Sequence, residues 1–338
     1  MVSFTPSMRR FLLRSFLFFA GLLLLVSAST LWIPHPSLRD SLYYALLDKH
    51  ELLDRTPSPR IIFLGGSNLS FGLDSARIVE ETGTPAVNMG IHAGFGLKFI
   101  LRDVEPHLRP RDVVVLVPEY SNFYSDQVDG NIELLYILFD VLPEARGSVP
   151  ASQWCHLLPL FPRYSAEKIF HLPGALLMGE KAEGAAIGDY DRKSFNAHGD
   201  AFAHWGKANR FVKITNLGGT YRPDAANAIN DFTSTAHASG ADVLLLYPCF
   251  QESNYDFNRK EIESLHRHLA EALSCRILGD PARYRMEDRF FYNARYHLNR
   301  EGVAERTRRV IEDLTPVLPS QAAECENSEG AGMERGVR

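Results

Sequence analysis

The chain is poor in the features that mark most binding modules. Four cysteines, Cys155, Cys249, Cys275 and Cys325, occur in 338 residues with no zinc-like spacing, so neither a metal site nor a redox motif has a basis in the sequence. A basic excess is missing too: 36 Lys and Arg stand against 41 Asp and Glu, for a net charge of −5. Without a zinc finger, basic helix or base-stacking motif, no nucleic-acid partner is expected. No Gly-Lys-Ser/Thr follows Gly65-Gly66-Ser67, which removes the phosphate loop that a nucleotide-binding reading needs. There is no internal repeat and no cofactor motif.

Charge is also absent from residues 15–33, which are rich in Leu and Phe and follow Arg9, Arg10 and Arg14. That length just spans a bilayer as a helix. Basic residues before it hold the N-terminus in the cytoplasm, so the main domain is expected on the periplasmic or extracellular side of a single-pass membrane anchor. Val26-Ser27-Ala28 has the small residues of a signal-peptide cleavage site. Apolar character continues through Leu31, Trp32 and Ile33, which favours an uncleaved anchor. Export permits a disulfide. However, Cys249 is expected to end one strand and Cys275 to begin a parallel neighbour, about 15–20 Å apart. A Cys155–Cys249 bridge is conceivable, and free thiols are the expectation.

Five apolar runs without alternation, at 61–64, 86–89, 113–117, 243–247 and 276–278, read as strands buried on both faces. Helical patterns separate them. Asp74 caps a helix from Ser75 that Gly83 stops, residues 97–108 cross between the second and third strands, and amphipathic helices cover 223–237 and 257–273. A last helix follows Asn299. Strands alternating with helices, joined by right-handed crossovers, predict an α/β doubly wound parallel five-stranded sheet. The connection from 121 to 221 is too long for a loop and reads as an inserted subdomain or lid. The chain then divides into a stub and anchor (1–36), a main domain (37–318) and a disordered, polar tail (319–338).

In open α/β sheets, ligands bind beyond the carboxyl ends of the strands. Those ends carry Gly65-Gly66-Ser67-Asn68, Asn88-Met89-Gly90 with His92 and Gly94, Glu119-Tyr120 with Asn122, and Pro248-Cys249. The fifth strand leads to Tyr296-His297-Leu298-Asn299. A serine on a glycine turn and a histidine before a helix thus reach one rim, as acyl transfer requires. Ser67 by itself reads as a turn serine and gains its nucleophile reading from His297. Gly90 and Gly94 fit tight turns as well as catalysis. Asn88 reads as a turn-stabilising side chain, His92 as a loop residue, and Glu119 as one half of an ion pair. His198 and Asp200 read as solvated or lid-stabilising rather than metal-ligating.

These pieces together resemble the SGNH (GDSL-like) hydrolase superfamily. They are Gly65-Gly66-Ser67-Asn68, Asn88-Met89-Gly90, the strand ending at Tyr247-Pro248, and Tyr296-His297-Leu298-Asn299 with Gly302. The resemblance covers 60–125 and 220–315 and leaves out the insert. More narrowly, the chain resembles the membrane-anchored, envelope-facing branch that includes enzymes acting on cell-surface glycans. The resemblance implies a flavodoxin-like strand order, Ser67 as nucleophile, His297 as general base, and the Ser67 and Gly90 N–H groups as oxyanion donors. The implied activity is a serine esterase or O-acyltransferase acting on an ester of an envelope glycan or lipid. A catalytically weak scaffold that binds glycan or assists a membrane acyltransferase is the other reading.

Two positions depart from the family pattern. The usual Asp three residues before the His is Ala294 here. Asn293 is the nearest substitute, with Asp288, Glu287 or no side chain at all as alternatives. The usual Asn after the third strand is also missing, and Tyr120 or Asn122 stands in its place. Asn68 and Asn88 are further candidates for substrate or oxyanion support.

Overall fold

A computed structural model describes residues 5–33, 35, 38–178 and 188–318, with the side chains of 172–178 excepted. The expected tail and Cys325 lie outside the described residues. Five parallel strands form the main sheet: β1 (Ile61–Gly65), β2 (Ala86–Asn88), β3 (Val113–Val117), β4 (Asp242–Leu245) and β6 (Arg276–Ile277), in the order β2-β1-β3-β4-β6. All five runs read as strands from the sequence are strands of this sheet. Three of them (β1, β2 and β3) are fully buried, as apolar runs without alternation require. Two short pairs were not foreseen. One joins β5 (Phe250–Gln251) to β7 (Arg285–Met286), and the other joins β8 (Phe291–Ala294) to β9 (His297–Leu298) as an antiparallel hairpin. Two- to four-residue strands leave no periodic pattern to read.

The helices are α1 (Pro6–Trp32), α2 (Ala45–Arg55), α3 (Ser67–Ser70), α4 (Ser75–Thr82), α5 (Leu97–Val104), α6 (Ile132–Tyr136), α7 (Ala151–Leu157), α8 (Phe161–Met178), α9 (Asp224–Ala238), α10 (Glu252–Phe257), α11 (Arg259–Ala272) and α12 (Arg300–Leu314). Their ends follow the side chains that satisfy them. Asp74 accepts from Arg77 N at the start of α4, and Asn299 accepts from Gly302 N at the start of α12. Gly83, at φ 69°, closes α4, a conformation open to glycine without strain. The helix expected over 257–273 is α11, which starts beyond Asn258, where the shorter α10 ends. Asn258 turns its amide to Thr215 O and Asn254 O, so a buried side chain replaces the helix's continuity.

The long connection does not stand apart as a lid. Its first half carries Phe123, Leu134, Leu135, Ile137 and Leu138 into the same core as the sheet. Its second half wraps the sheet rim, where Ala201 N bonds Ser70 O and Arg210 N bonds Tyr292 O. The apolar helix α1 is 27 residues long, with a mean hydropathy of 2.2 over its most apolar window. At 1.5 Å per residue it reaches about 40 Å, enough to cross a membrane. Its C-terminal end packs on α8: Ser29 Oγ bonds Ser165 Oγ, and Lys168 Nζ donates to Thr30 O at 3.3 Å. Cys155, Cys249 and Cys275 are free thiols.

Candidate active site

Ser67 opens α3 directly beyond β1. Gly65 and Gly66 are required there because a side chain would collide: an added Cβ would lie 2.5 Å from Val117 O at Gly65 and 2.8 Å from Ala93 Cβ at Gly66. Only a bare backbone lets the end of β1 lie that close to β3 and to the loop after β2. His297 arrives on the β8–β9 hairpin, which is docked by Leu298 N donating to Phe71 O at 2.9 Å. Phe71 also stacks on the imidazole, with ring centroids 4.3 Å apart and planes at 13°.

The two side chains meet. Ser67 Oγ lies 2.9 Å from His297 Nε2, and His297 Nδ1 lies 2.8 Å from Asn293 Oδ1. An amide oxygen only accepts, so Nδ1 carries the ring proton and Nε2 is left as the acceptor of the serine hydroxyl. Asn293 is itself fixed, its Nδ2 donating to Tyr190 Oη at 2.9 Å. Burial, with smaller contributions from His92 and His204, lowers the His297 pKa to about 3, so the imidazole is a neutral base. Asp288 and Glu287, the other candidates, are elsewhere. Asp288 accepts from Ser253 N at 3.0 Å, and Glu287 pairs with Arg289.

The other expected site residues fall differently. Gly90 N–H donates to Asn88 Oδ1 at 3.0 Å, so it is committed to its own turn rather than aimed at an oxyanion. Asn88 is fully buried, and its Nδ2 bonds Leu69 O and Asp200 Oδ1. Asn68 is also fully buried. Its Nδ2 donates to Val117 O, while its Oδ1 and its carbonyl oxygen both accept from the Arg306 guanidinium. These two amides hold the rim together and do not face a substrate. Asn122 Oδ1 accepts from Glu119 N at 2.9 Å, while Asn122 Nδ2 and Tyr120 Oη are buried without a partner among the described residues. Tyr120 packs edge-on against Phe250.

Glu119 corrects the expectation of an ion pair. Its Oε1 lies 3.4 Å from both Ser67 Oγ and Asn68 N. Arg295 acts on it only through space, because its guanidinium is bonded to Thr215. Burial pushes the Glu119 carboxyl up to about 6, against the opposing pull of Asn68 and Arg295. Its place at the end of β3 was a usable signal, but an acidic residue there reads more simply as half of a salt bridge. Asp200 is a buried carboxylate that accepts from Ser75 and Asn88. It ties the insert to the rim, as does Lys49, which donates to Gly90 O and Gly199 O. His92 Nδ1 accepts from Gly94 N, and His198 O accepts from Asn88 N. Phe71, Tyr190, Lys49 and Arg306 carried no motif. Each gains its role from a partner far away in the chain: His297, Asn293, Gly199 and Asn68 respectively.

Comparison with known proteins found no matching family model and no matching curated protein.

Proposed function

We propose that this chain is a serine-dependent acyl esterase or O-acyltransferase of the SGNH type, acting on an ester of a cell-envelope glycan or lipid. The observation that carries the reading is the relay Asn293–His297–Ser67, with contacts of 2.8 and 2.9 Å. Support also comes from the parallel main sheet, whose strand order β2-β1-β3-β4-β6 is compatible with the flavodoxin-like order that the resemblance implies.

The geometry sets out the steps. His297 Nε2 takes the proton of Ser67 as Oγ bonds to the acyl carbon, and then gives that proton to the leaving oxygen. Asn293 holds the ring in the tautomer this needs. Water or a sugar hydroxyl then attacks the acyl-enzyme by the same route in reverse. Arg9, Arg10 and Arg14 at the N-terminal side of α1 favour a domain outside the cytoplasmic membrane. Leu22, Leu23 and Val26, which precede the Ala28 cleavage point, line one groove with Phe139, Leu158 and Phe161, which favours an anchor that stays attached.

A second reading has its own support. Asn293 offers no negative charge to an imidazolium, and the Gly90 N–H is occupied. Both suit a weakly active scaffold that binds glycan or assists a membrane acyltransferase. The test uses the full chain in detergent, because removing α1 would expose its contact surface on α8. Hydrolysis of a short-chain nitrophenyl ester and labelling by a fluorophosphonate are measured for wild type, Ser67→Ala and His297→Ala. Turnover lost in both variants, with labelling lost in Ser67→Ala, is the expected result. A wild type that neither turns over nor labels would leave the scaffold reading.

A further inference from the structure

We propose that Glu119, in its protonated form, is the second oxyanion donor of the Ser67 site. The inference rests on the serine reading above and starts from a count of donors. An acyl-transfer site needs fixed donors about 2.7–3.1 Å from the developing oxyanion. The Ser67 N–H, at the first turn of α3, makes no hydrogen bond among the described residues. The Gly90 N–H and the Asn68 and Asn88 amides are all committed to other acceptors, while Asn122 Nδ2 and Tyr120 Oη are without a partner among the described residues but make no hydrogen bond to Ser67. The Asn68 N–H points at Glu119 Oε1, which also borders Ser67 Oγ. The one group that touches both the nucleophile and the N–H following it is therefore a carboxyl.

The two charge states of that carboxyl have opposite effects. The Ser67 hydroxyl has one proton, and Asn293 forces His297 Nε2 to be an acceptor. An ionised Glu119 competes with Nε2 for this proton and sets a negative charge beside the oxyanion. A protonated Glu119 donates to Ser67 Oγ at rest, leaving the hydroxyl proton to His297, and then donates to the oxyanion. In the reaction, Oγ bonds to the carbonyl carbon, its proton moves to Nε2, and the carbonyl electron pair becomes the oxyanion. On collapse, the C=O re-forms, the bond to the leaving oxygen breaks, and that oxygen takes the proton from Nε2. Glu119 lends a hydrogen bond and keeps its proton throughout. A buried carboxylic acid held neutral so that it can donate is an established device.

The surroundings suit this role. Glu119 faces Ser67 and Asn68 of α3, Asn122 of its own turn, and Arg295 and Tyr296 of the β8–β9 turn, with no second carboxylate among these groups. Burial raises its pKa to about 6 and lowers that of His297 to about 3. The base thus stays neutral across the whole range in which Glu119 titrates. Activity is expected to be greatest below pH 6 and to fall above it, the reverse of a site limited by protonation of its histidine.

The test measures fluorophosphonate labelling rate and ester turnover from about pH 4.5 to 8.5 for the full chain in detergent, as wild type, Glu119→Gln, Asn122→Ala and Ser67→Ala. Wild type is expected to fall about tenfold per pH unit above 6. Glu119→Gln donates at every pH, so its rate stays flat and exceeds wild type at least about tenfold at pH 8. Asn122→Ala removes the acceptor of Glu119 N, so its rate is lower by less than about tenfold while the fall above pH 6 is kept. A wild-type rate that is flat or rising from pH 5 to 8, with Glu119→Gln parallel to it, overturns the inference. So does a loss of about 10²-fold or more at every pH in Asn122→Ala, which would make the free Asn122 amide the donor. If Glu119→Gln fails to fold, the sign of the wild-type slope decides. Labelling of wild type no greater than that of Ser67→Ala at any pH overturns the serine reading and this inference with it. Labelling with one pH course for wild type and Glu119→Gln overturns this inference alone.

Discussion

At the carboxyl rim of the sheet, the side chains around Ser67 are held by directed polar bonds. Beside α1, apolar side chains instead line an open groove, and among the described residues the bonds between α1 and α8 are confined to Ser29 and Thr30. The groove, of about 540 Å³, is walled by Phe19, Leu22, Leu23 and Val26 on one side and by Phe139, Leu158 and Phe161 on the other. Leu158, in its wall, is 60% exposed. The rim depends on hydrogen-bond geometry, which a shift of a few tenths of an ångström weakens. The groove offers apolar area, whose burial is non-directional and forgiving, and the helix behind it is fixed by the buried Lys168–Asp140 pair. The rim should therefore fail in activity with little loss of stability, and the α1–α8 region should do the reverse.

The sharpest separation comes from the rim. Ser67→Ala and His297→Ala should each lower ester turnover by at least about 10³-fold. Ser67→Ala removes one hydroxyl and should shift stability by less than about 1 kcal/mol, and His297→Ala, which empties the space beside Phe71, by about 1–2 kcal/mol. A large loss of stability in either would break the comparison. The opposite experiment uses Lys168. It is buried, pairs with Asp140 at 2.8 Å, and bonds Tyr164 Oη and Thr30 O. Lys168→Ala leaves the Asp140 carboxylate without its cation and should cost about 3 kcal/mol, read as a lower Tm in detergent. Turnover at 25 °C should change by less than about twofold, within the range of a distant and independent site. A parallel loss of activity would show that the two regions are coupled.

The same contrast governs what could be read from the sequence. The five sheet strands were legible because buried parallel strands need unbroken apolar runs, and Val113–Val117 supplies one. Ser67 and His297 were legible because each stands at a strand or helix boundary with its own punctuation. Asn293 was legible only as the nearest polar neighbour, since a bulged hairpin between Phe291 and Ala294 sets its direction. Gly90 was misread as a donor because no pattern tells which acceptor a loop N–H will find. Glu119 was misread because its surroundings include Arg295 and Tyr296, far along the chain. The packing of α8 on α1 had no signal at all, because it runs through Ser29 and Thr30, two small polar residues with no motif around them.

Glu119 also ties the rim to stability. Its pKa of about 6 in the folded protein stands above the 4.5 of an unperturbed glutamate. The folded state thus holds this proton more tightly than the unfolded chain does. That contribution is fully present below about pH 4.5 and is lost as pH rises through 6, a change of about 2 kcal/mol. His297 acts in the other direction. Its lowered pKa gives a contribution that is present above about pH 6.5 and lost as pH falls toward 3. Chemical denaturation at pH 4.5 and 7.5 should show Glu119→Gln gaining on wild type by about 2 kcal/mol across that interval. No gain would mean that the carboxylate is well solvated, and the rim would then be less dry than its contacts imply.

The smallest expected effect discriminates most finely within the rim itself. Asn293 orients His297 but brings no charge, and its own direction is fixed by Tyr190, which is 41% exposed. A carboxylate at this place would keep the hydrogen bond to Nδ1 and also stabilise the imidazolium that forms as Ser67 gives up its proton. Asn293→Asp should therefore raise turnover at pH 7 by about tenfold. It should also raise the His297 pKa, so that an acid limb enters the pH profile. Tyr190→Phe should lower wild-type turnover a few-fold, because a free amide can rotate and present N–H to Nδ1, which selects the wrong tautomer. Combined with Asn293→Asp, the same tyrosine change should matter less, since a carboxylate presents an acceptor in either orientation. If Asn293→Asp lowers activity instead, the added charge acts first on Glu119 or the oxyanion. The amide would then be an adaptation of a site that already holds one carboxyl within 3.4 Å of its nucleophile.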